Sequence, residues 1–313
     1  MLLHNDGPDA AGHWHFSDAT ERAGIPREVF PSFGTFFFDY DNDGWEDLLV
    51  FGYAIPKGVG DIAADYMGLP NQGQKMRLYH NNRNGTFTDV SDAMHLNRIC
   101  QAMGHNFGDL DNDGWLDFYG ATGDPDLRTI IPNRMFRNAG GRFFQDVTMA
   151  TGTGSLQKGH AVGVADLNED GAPDIYVSLG GAYTGDLARN ALFLNPGSTN
   201  HWLKLKLTGV KANRAAVGAR IHVVVTTPGG RRDIYRTVNS GGSFGSNPLR
   251  QEIGLGDATA VESVEIRWPG SDFRQTVKGL ELNQTYEIRE GDLAITKRTA
   301  RPFLLKGTAS ARP

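Results

Sequence analysis

Apolar and polar positions follow two different rhythms along this chain, and the change between them falls near residue 200. Before it, short apolar runs follow turns rich in Asp, Asn and Gly. Leu48-Leu49-Val50-Phe51-Gly52, Phe118-Tyr119-Gly120 and Ile175-Tyr176-Val177 are such runs, too short for helices and bounded as strands are. Between them lie hairpin patterns, an apolar strand, an Asn/Gly turn and a returning strand. Leu78-Tyr79-His80-Asn81-Asn82 leads to Gly85-Thr86-Phe87-Thr88-Asp89-Val90, and Met135-Phe136-Arg137-Asn138 leads to Gly141-Arg142-Phe143-Phe144-Gln145-Asp146-Val147-Thr148. A weaker copy opens the chain, and Leu192-Phe193-Leu194-Asn195 is half a copy. After Asn200 clean alternation takes over. In Leu203-Lys204-Leu205-Lys206-Leu207 the leucines face one way and the lysines the other, as a half-buried strand requires. The stretch Asp61 to Met67 is the one place where a helical turn or two is expected.

The pattern predicts an all-β chain: blades over 1–198, an antiparallel sandwich over 199–290, and a basic, unpatterned tail over 291–313 that frays. Each early apolar run is preceded by the same loop, Asp-x-Asp/Asn-x-Asp-Gly-x-x-Asp, with first aspartates at 39, 109 and 166. That spacing suits one propeller blade per loop with variable connections. Carboxylates at every second position curl so that their side chains converge, and glycine at position six permits the turn. Hard oxygen ligands in that arrangement suit Ca²⁺. The expected ligands are Asp39, Asp41, Asp43 and Asp47 with the carbonyl of Trp45, and Asp109, Asp111, Asp113 and Asp117 with that of Trp115. The third set is Asp166, Asn168, Asp170 and Asp174 with the carbonyl of Ala172. Up to three ions are implied, the third held most weakly because Asn168 replaces a charge. Position twelve is Val50, Gly120 and Val177, so the bidentate glutamate of an EF-hand is absent.

Composition narrows the setting. The 40 glycines are scattered among turns, the single cysteine, Cys100, rules out an internal disulfide framework, and a net charge of −5 argues against nucleic acid as a partner. No apolar run reaches the ~20 residues of a membrane span. Met1 to Gly7 has neither a basic end nor an apolar stretch, so a signal peptide is expected upstream, in a longer parent.

The loops and alternating hairpins resemble FG-GAP/VCBS repeats, the blade units of integrin-α-type propellers. Asn200-His201-Trp202-Leu203, Gly218-Ala219-Arg220, Ser240-Gly241-Gly242-Ser243, Gly254-Leu255-Gly256-Asp257 and Val264-Glu265-Ile266-Arg267-Trp268-Pro269 resemble the ASPIC/UnbV domain. The pairing is similar to the cartilage acidic protein family. The resemblance implies calcium at the loops, a secreted or cell-surface location and no catalytic residues. Three loop-bearing units fall short of a closed propeller, so the expectation is a partial one, open or truncated, with further blades upstream.

No Gly-x-Ser-x-Gly, His-Glu-x-x-His or phosphate-cradling loop is present. His13 and His15 share a strand face, His105 and His160 precede the second and third loops at different offsets, and Trp45 and Trp115 occupy the same loop position. His13 and His15 read as a polar edge strand and the tryptophans as blade packing, while His105 and His160 form no equivalent pair and are not expected to be catalytic. The expected function is a calcium-binding adhesion scaffold without catalysis. Its partner is a protein or glycan at the cell surface or matrix, met by the connections Tyr53 to Lys75 and Thr122 to Asn133. The alternative is a module acting on extracellular polysaccharide.

Overall fold

A computed structural model describes residues 1–27, 31–123, 129–181, 184–271 and 273–305. Each aspartate loop joins two antiparallel strands, and each following hairpin adds to the same sheet. The first blade is β3 (Ser32–Phe38), β4 (Asp47–Gly52), β5 (Arg77–Asn81) and β6 (Phe87–Asp89), preceded by an isolated hairpin of β1 (Leu3–Pro8) and β2 (Trp14–Asp18). The second is β7 (Ala102–Gly108), β8 (Asp117–Thr122), β9 (Arg134–Asn138) and β10 (Phe144–Asp146). The third has three strands, β11 (Gly159–Ala165), β12 (Asp174–Leu179) and β13 (Ala191–Phe193). Two short helices interrupt: α1 (Val59–Tyr66), where a turn or two was expected, and α2 (Thr148–Thr151).

The inner strands β3, β7 and β11 stand side by side, β7 between the other two. Among the described residues no sheet closes on itself, and with β7 between β3 and β11 the three blades follow one another as an arc. Between the first two blades lies an aromatic core in which Phe36, Phe38, Phe118, Phe136 and Phe144 are buried, and between the second and third a smaller aliphatic one around Val162, Val164 and Ile175.

The C-terminal domain comprises β14 (His201–Thr208), β15 (Arg220–Thr227), β16 (Gly230–Thr237), β17 (Gln251–Gly256), β18 (Ala260–Arg267), β19 (Arg274–Val277), β20 (Gln284–Arg289) and β21 (Thr296–Arg298). They make two four-stranded sheets, β17-β14-β20-β21 and β16-β15-β18-β19, closed over Leu203, Leu205, Val223, Ile266 and the fully buried Trp268. Three expectations need correction. The sandwich is not wholly antiparallel, because β14 and β20 run parallel. The tail does not simply fray at Asp292, because β21 pairs with β20 and Phe303 N donates to Asn168 O at 3.0 Å. Lys206 faces outward as alternation requires, but Lys204 is buried, since its face of β14 packs on the third aspartate loop.

The sandwich grips the arc from within. Its segment 240–247 runs along the inner strands: Ser243 and His105 exchange backbone hydrogen bonds at 3.0 and 3.1 Å, and Val162 N donates to Phe244 O at 3.0 Å. Asn247 bridges both blades, donating to Phe107 O at 2.8 Å and accepting from Val164 N at 2.9 Å. Gly242 is required here, because a Cβ at that position would meet His105 O at 2.0 Å. Of the two connections expected to form a contact surface, 53–75 carries α1, and 122–133 lies partly outside the described residues.

Candidate metal centre

The three loops repeat one hydrogen-bond scheme. The position-one carboxylate accepts from the position-six glycine amide: Gly44 to Asp39 at 2.8 Å, Gly114 to Asp109 at 3.0 Å and Gly171 to Asp166 at 2.7 Å. These glycines have φ of 85°, 93° and 99°, a region costly for residues with a Cβ. The position-five aspartates Asp43, Asp113 and Asp170 accept from the position-seven amides of Trp45, Trp115 and Ala172 at 2.8, 2.9 and 2.9 Å. The position-nine aspartate accepts from two directions. Asp117 takes Leu110 N at 3.0 Å and, from the hairpin, Asn138 N at 2.7 Å. Asp47 and Asp174 do the same with Tyr40 and Asn81, and with Leu167 and Asn195. Each hairpin is thereby pinned to its own loop.

A second scheme links neighbouring loops. Position four is Asn42, Asn112 and Glu169, all left-handed with φ of 53°, 57° and 59°. Asn42 Nδ2 donates to Gly114 O at 2.7 Å, and Asn112 Nδ2 to Gly171 O at 2.9 Å. Glu169 instead pairs with Arg250 of the sandwich at 3.3 Å.

Carboxylate charge accumulates out of water. Burial, then neighbouring carboxylates, push Asp39 up to about 7, Asp47 up to about 8 and Asp113 up to about 6, and raise Asp41. Asp109 rises to about 7 by burial, against the pull of Arg236. Asp117 is raised well above the usual carboxylate range by burial and by Asp111 and Asp109. A bound cation relieves this kind of crowding.

The structure brings together part of the expected ligand set, in the first two loops and without Asp117. Single oxygens of Asp39, Asp41 and Asp47 lie within 4.8 Å of one another, as do those of Asp109, Asp111 and Asp113. Asp41, Asp43 and His80 make a further such group. In both loops one buried oxygen has no hydrogen-bond partner, Asp41 Oδ1 and Asp109 Oδ1. These observations fit a hard divalent cation. Among the described residues no such cluster forms at the third loop, where Lys204 Nζ sits on Asp166 Oδ2 and Asn168 Nδ2 donates to Asp170 at 2.7 Å.

Several cations around the loops have no place in the loop motif. Arg83 meets Asp43 at 2.6 Å, Arg137 bridges Asp111 and Asp113 at 2.6 and 3.1 Å, and Arg236 reaches Asp109 Oδ2 at 3.0 Å. His80 Nδ1 stands 3.3 Å from both Asp41 and Asp47. One signal was available: the residue before the hairpin asparagine is His80, then Arg137, then Leu194. The hairpin thus places a basic side chain beside the first two loops and none beside the third, where the sandwich supplies Lys204.

The histidines set aside in the sequence have structural places. His13 and His15 both face Asp9 at the exposed hairpin. His105 is fully buried against Phe36 and Phe51 and pushed down to about 4 by burial, and His160 Nδ1 faces Met103 Sδ. Trp115 packs over the hairpin turn at Gly141, while Trp45 is partly exposed beneath Arg220. No helix among the described residues is long and apolar enough to cross a membrane.

Comparison with known proteins agrees with this architecture. Residues 60–120 match the family model for an FG-GAP-like repeat, from α1 into β8, and residues 209–294 match that for ASPIC and UnbV. Among solved structures, the chain is similar to a candidate cell adhesion protein from Bacteroides ovatus, at 11% identity and a TM-score of 0.22, over 56% of this chain and 80% of that one. A likeness that weak carries no argument by itself. No curated protein matches.

Proposed function

We propose that this chain, an FG-GAP repeat protein with a UnbV domain, is a calcium-stabilised binding scaffold of the adhesion type that works outside the cell and has no catalytic role. The carrying observation is the pair of partly buried carboxylate clusters in the first two loops, each with a buried oxygen left unpartnered. Asp39, Asp41, Asp43 and Asp47 would hold one ion, and Asp109, Asp111, Asp113 and Asp117 another. The ion supplies charge that lets each loop fold tightly against its hairpin and the next blade. Asp166, Asn168, Asp170 and Asp174 form the weakest site, because Lys204 already neutralises Asp166. Extracellular calcium modules work at ~10⁻⁴ to 10⁻³ M, so such sites fill outside a cell and stay empty in cytosol.

The test is thermal melting with calcium and with chelator. At calcium tenfold above Kd each site contributes about 1.4 kcal/mol, and two sites shift the melting temperature by roughly 5–10 °C. Equal melting temperatures under both conditions refute the calcium reading.

A further inference from the structure

Among the described residues the third blade has no fourth strand, and the space that strand fills elsewhere is open. In the second blade β10 brings Phe144 into the interface with the first, where it packs against Phe38, Tyr40 and Phe118. Its amide donates to Met94 O at 3.0 Å, and Phe87 of β6 makes the same bond to Ala23 O at 2.8 Å. The fourth strand thus appears twice as Phe-x-Asp, Phe87-Thr88-Asp89 and Phe144-Gln145-Asp146.

After β13 the chain turns away into the sandwich. A groove of about 590 Å³ remains between the second and third blades. By repeat position its lining matches the surroundings of Phe144. Leu110 stands where Tyr40 stands, Ile175 for Phe118, Phe193 for Phe136 and Thr151 for Met94. Neither the phenylalanine nor Phe38, whose repeat position is taken by Gly108, has a counterpart. Beside the groove β13 is the edge of its sheet, with Leu192 and Leu194 exposed by 41% and 45%. An edge strand with exposed apolar side chains is a template for pairing with another strand.

We infer that β13 and this groove form a docking site for an extended Phe-x-Asp segment of a partner protein, which adds as the fourth strand and seats its phenylalanine between the blades. The chain's own repeats define the chemistry. In the register of β9 and β10, the incoming phenylalanine lies opposite Asn195 and the aspartate opposite Phe193. We take the segment from another protein because every further copy of this pattern among the described residues is already engaged: Phe16-Ser17-Asp18 pairs with β1, and Phe37-Phe38-Asp39 and Phe107-Gly108-Asp109 close β3 and β7. The inference rests on the scaffold reading in taking a protein as the occupant. It does not require calcium, so chelation and peptide binding can fail separately.

The probe is a peptide with the sequence of residues 140–148, Gly-Gly-Arg-Phe-Phe-Gln-Asp-Val-Thr, measured by calorimetry against the whole chain. Saturable binding is expected, at least about tenfold weaker when the phenylalanine matching Phe144 becomes serine, and weakened similarly by Leu194→Lys in the protein. Hydrogen exchange at Ala191 to Phe193 should slow when peptide is bound. No binding, binding indifferent to the serine, or binding unchanged in Leu194→Lys overturns the proposal. So does a concentration-dependent dimer dissolved by Phe16→Ser, which would make a second copy the occupant.

Discussion

Asn138→Ala tests whether the hairpin asparagines hold the blades to one another. Its side chain is buried, with Nδ2 donating to Leu116 O at 3.2 Å within its own blade and to Tyr40 O at 2.8 Å in the preceding one, while Oδ1 accepts from Gly141 N at 2.7 Å. Truncation leaves three backbone groups without partners. At the low end of the cost of an unsatisfied buried group, ~1 kcal/mol each, the loss is about 3 kcal/mol. In a unit of this size that lowers the melting temperature by roughly 6–12 °C. The equivalent residues provide internal standards. Asn195 also crosses blades, to Leu110 O at 2.6 Å, but is less buried. Asn81 bonds Glu46 O and Arg83 N, both within its own blade. Melting of the three alanine variants in excess calcium, followed by circular dichroism, should rank Asn138 most damaging, then Asn195, then Asn81. Equal shifts for Asn138→Ala and Asn81→Ala would refute the inter-blade argument, because the bond to Tyr40 O is what separates them.

Two further outcomes follow from the charges. Asp39, Asp47 and Asp109 have folded-state pKa values raised from 3.8 to about 7, 8 and 7, so the metal-free fold binds more protons than the unfolded chain and loses stability as pH rises from 3.8 through those values. The melting temperature in chelator should therefore fall from pH 5 to pH 8, while the gain from added calcium grows, since the ligands must be ionised; a calcium gain that shrinks toward pH 8 would count against the clusters as metal sites. Lys204→Met strands the buried carboxylate of Asp166 and should cost about 3–5 kcal/mol, with Asp166→Asn in the same chain recovering part of it in a double-mutant cycle measured by urea unfolding; strict additivity would show that the pair does not interact.

The blades were legible because their information is local. Loop, strand and hairpin recur in register, and the carboxylates that cluster at the first two loops are those the spacing names. What sequence could not show is what reaches a loop from far away. Lys204 reads as the outward residue of an alternating strand, yet it is buried because a loop 38 residues earlier supplies the facing carboxylate. Arg236 meets Asp109 across 127 positions. Segment 240–247 looks like an ordinary glycine-rich turn, and its role along β7 and β11 depends on a surface assembled by other strands. The absent fourth strand of the last blade was visible only as half a hairpin, and its meaning needed the filled equivalent beside it.

The position-four relay is one half of a two-way stitch between the loops. Asn42 reads the turn of the second loop and Asn112 that of the third, while Asn138 and Asn195 return a bond each, to Tyr40 O and Leu110 O of the preceding loops. At Glu169 the relay leaves the blades and ends on Arg250. The sandwich also bonds the other two loops directly: Tyr235 N donates to Asn42 Oδ1 at 3.1 Å and Arg236 to Asp109 Oδ2 at 3.0 Å. Each loop is therefore tied both to its neighbour and to one shared hub. Loosening any loop loads that hub, so blades and sandwich should melt in a single transition.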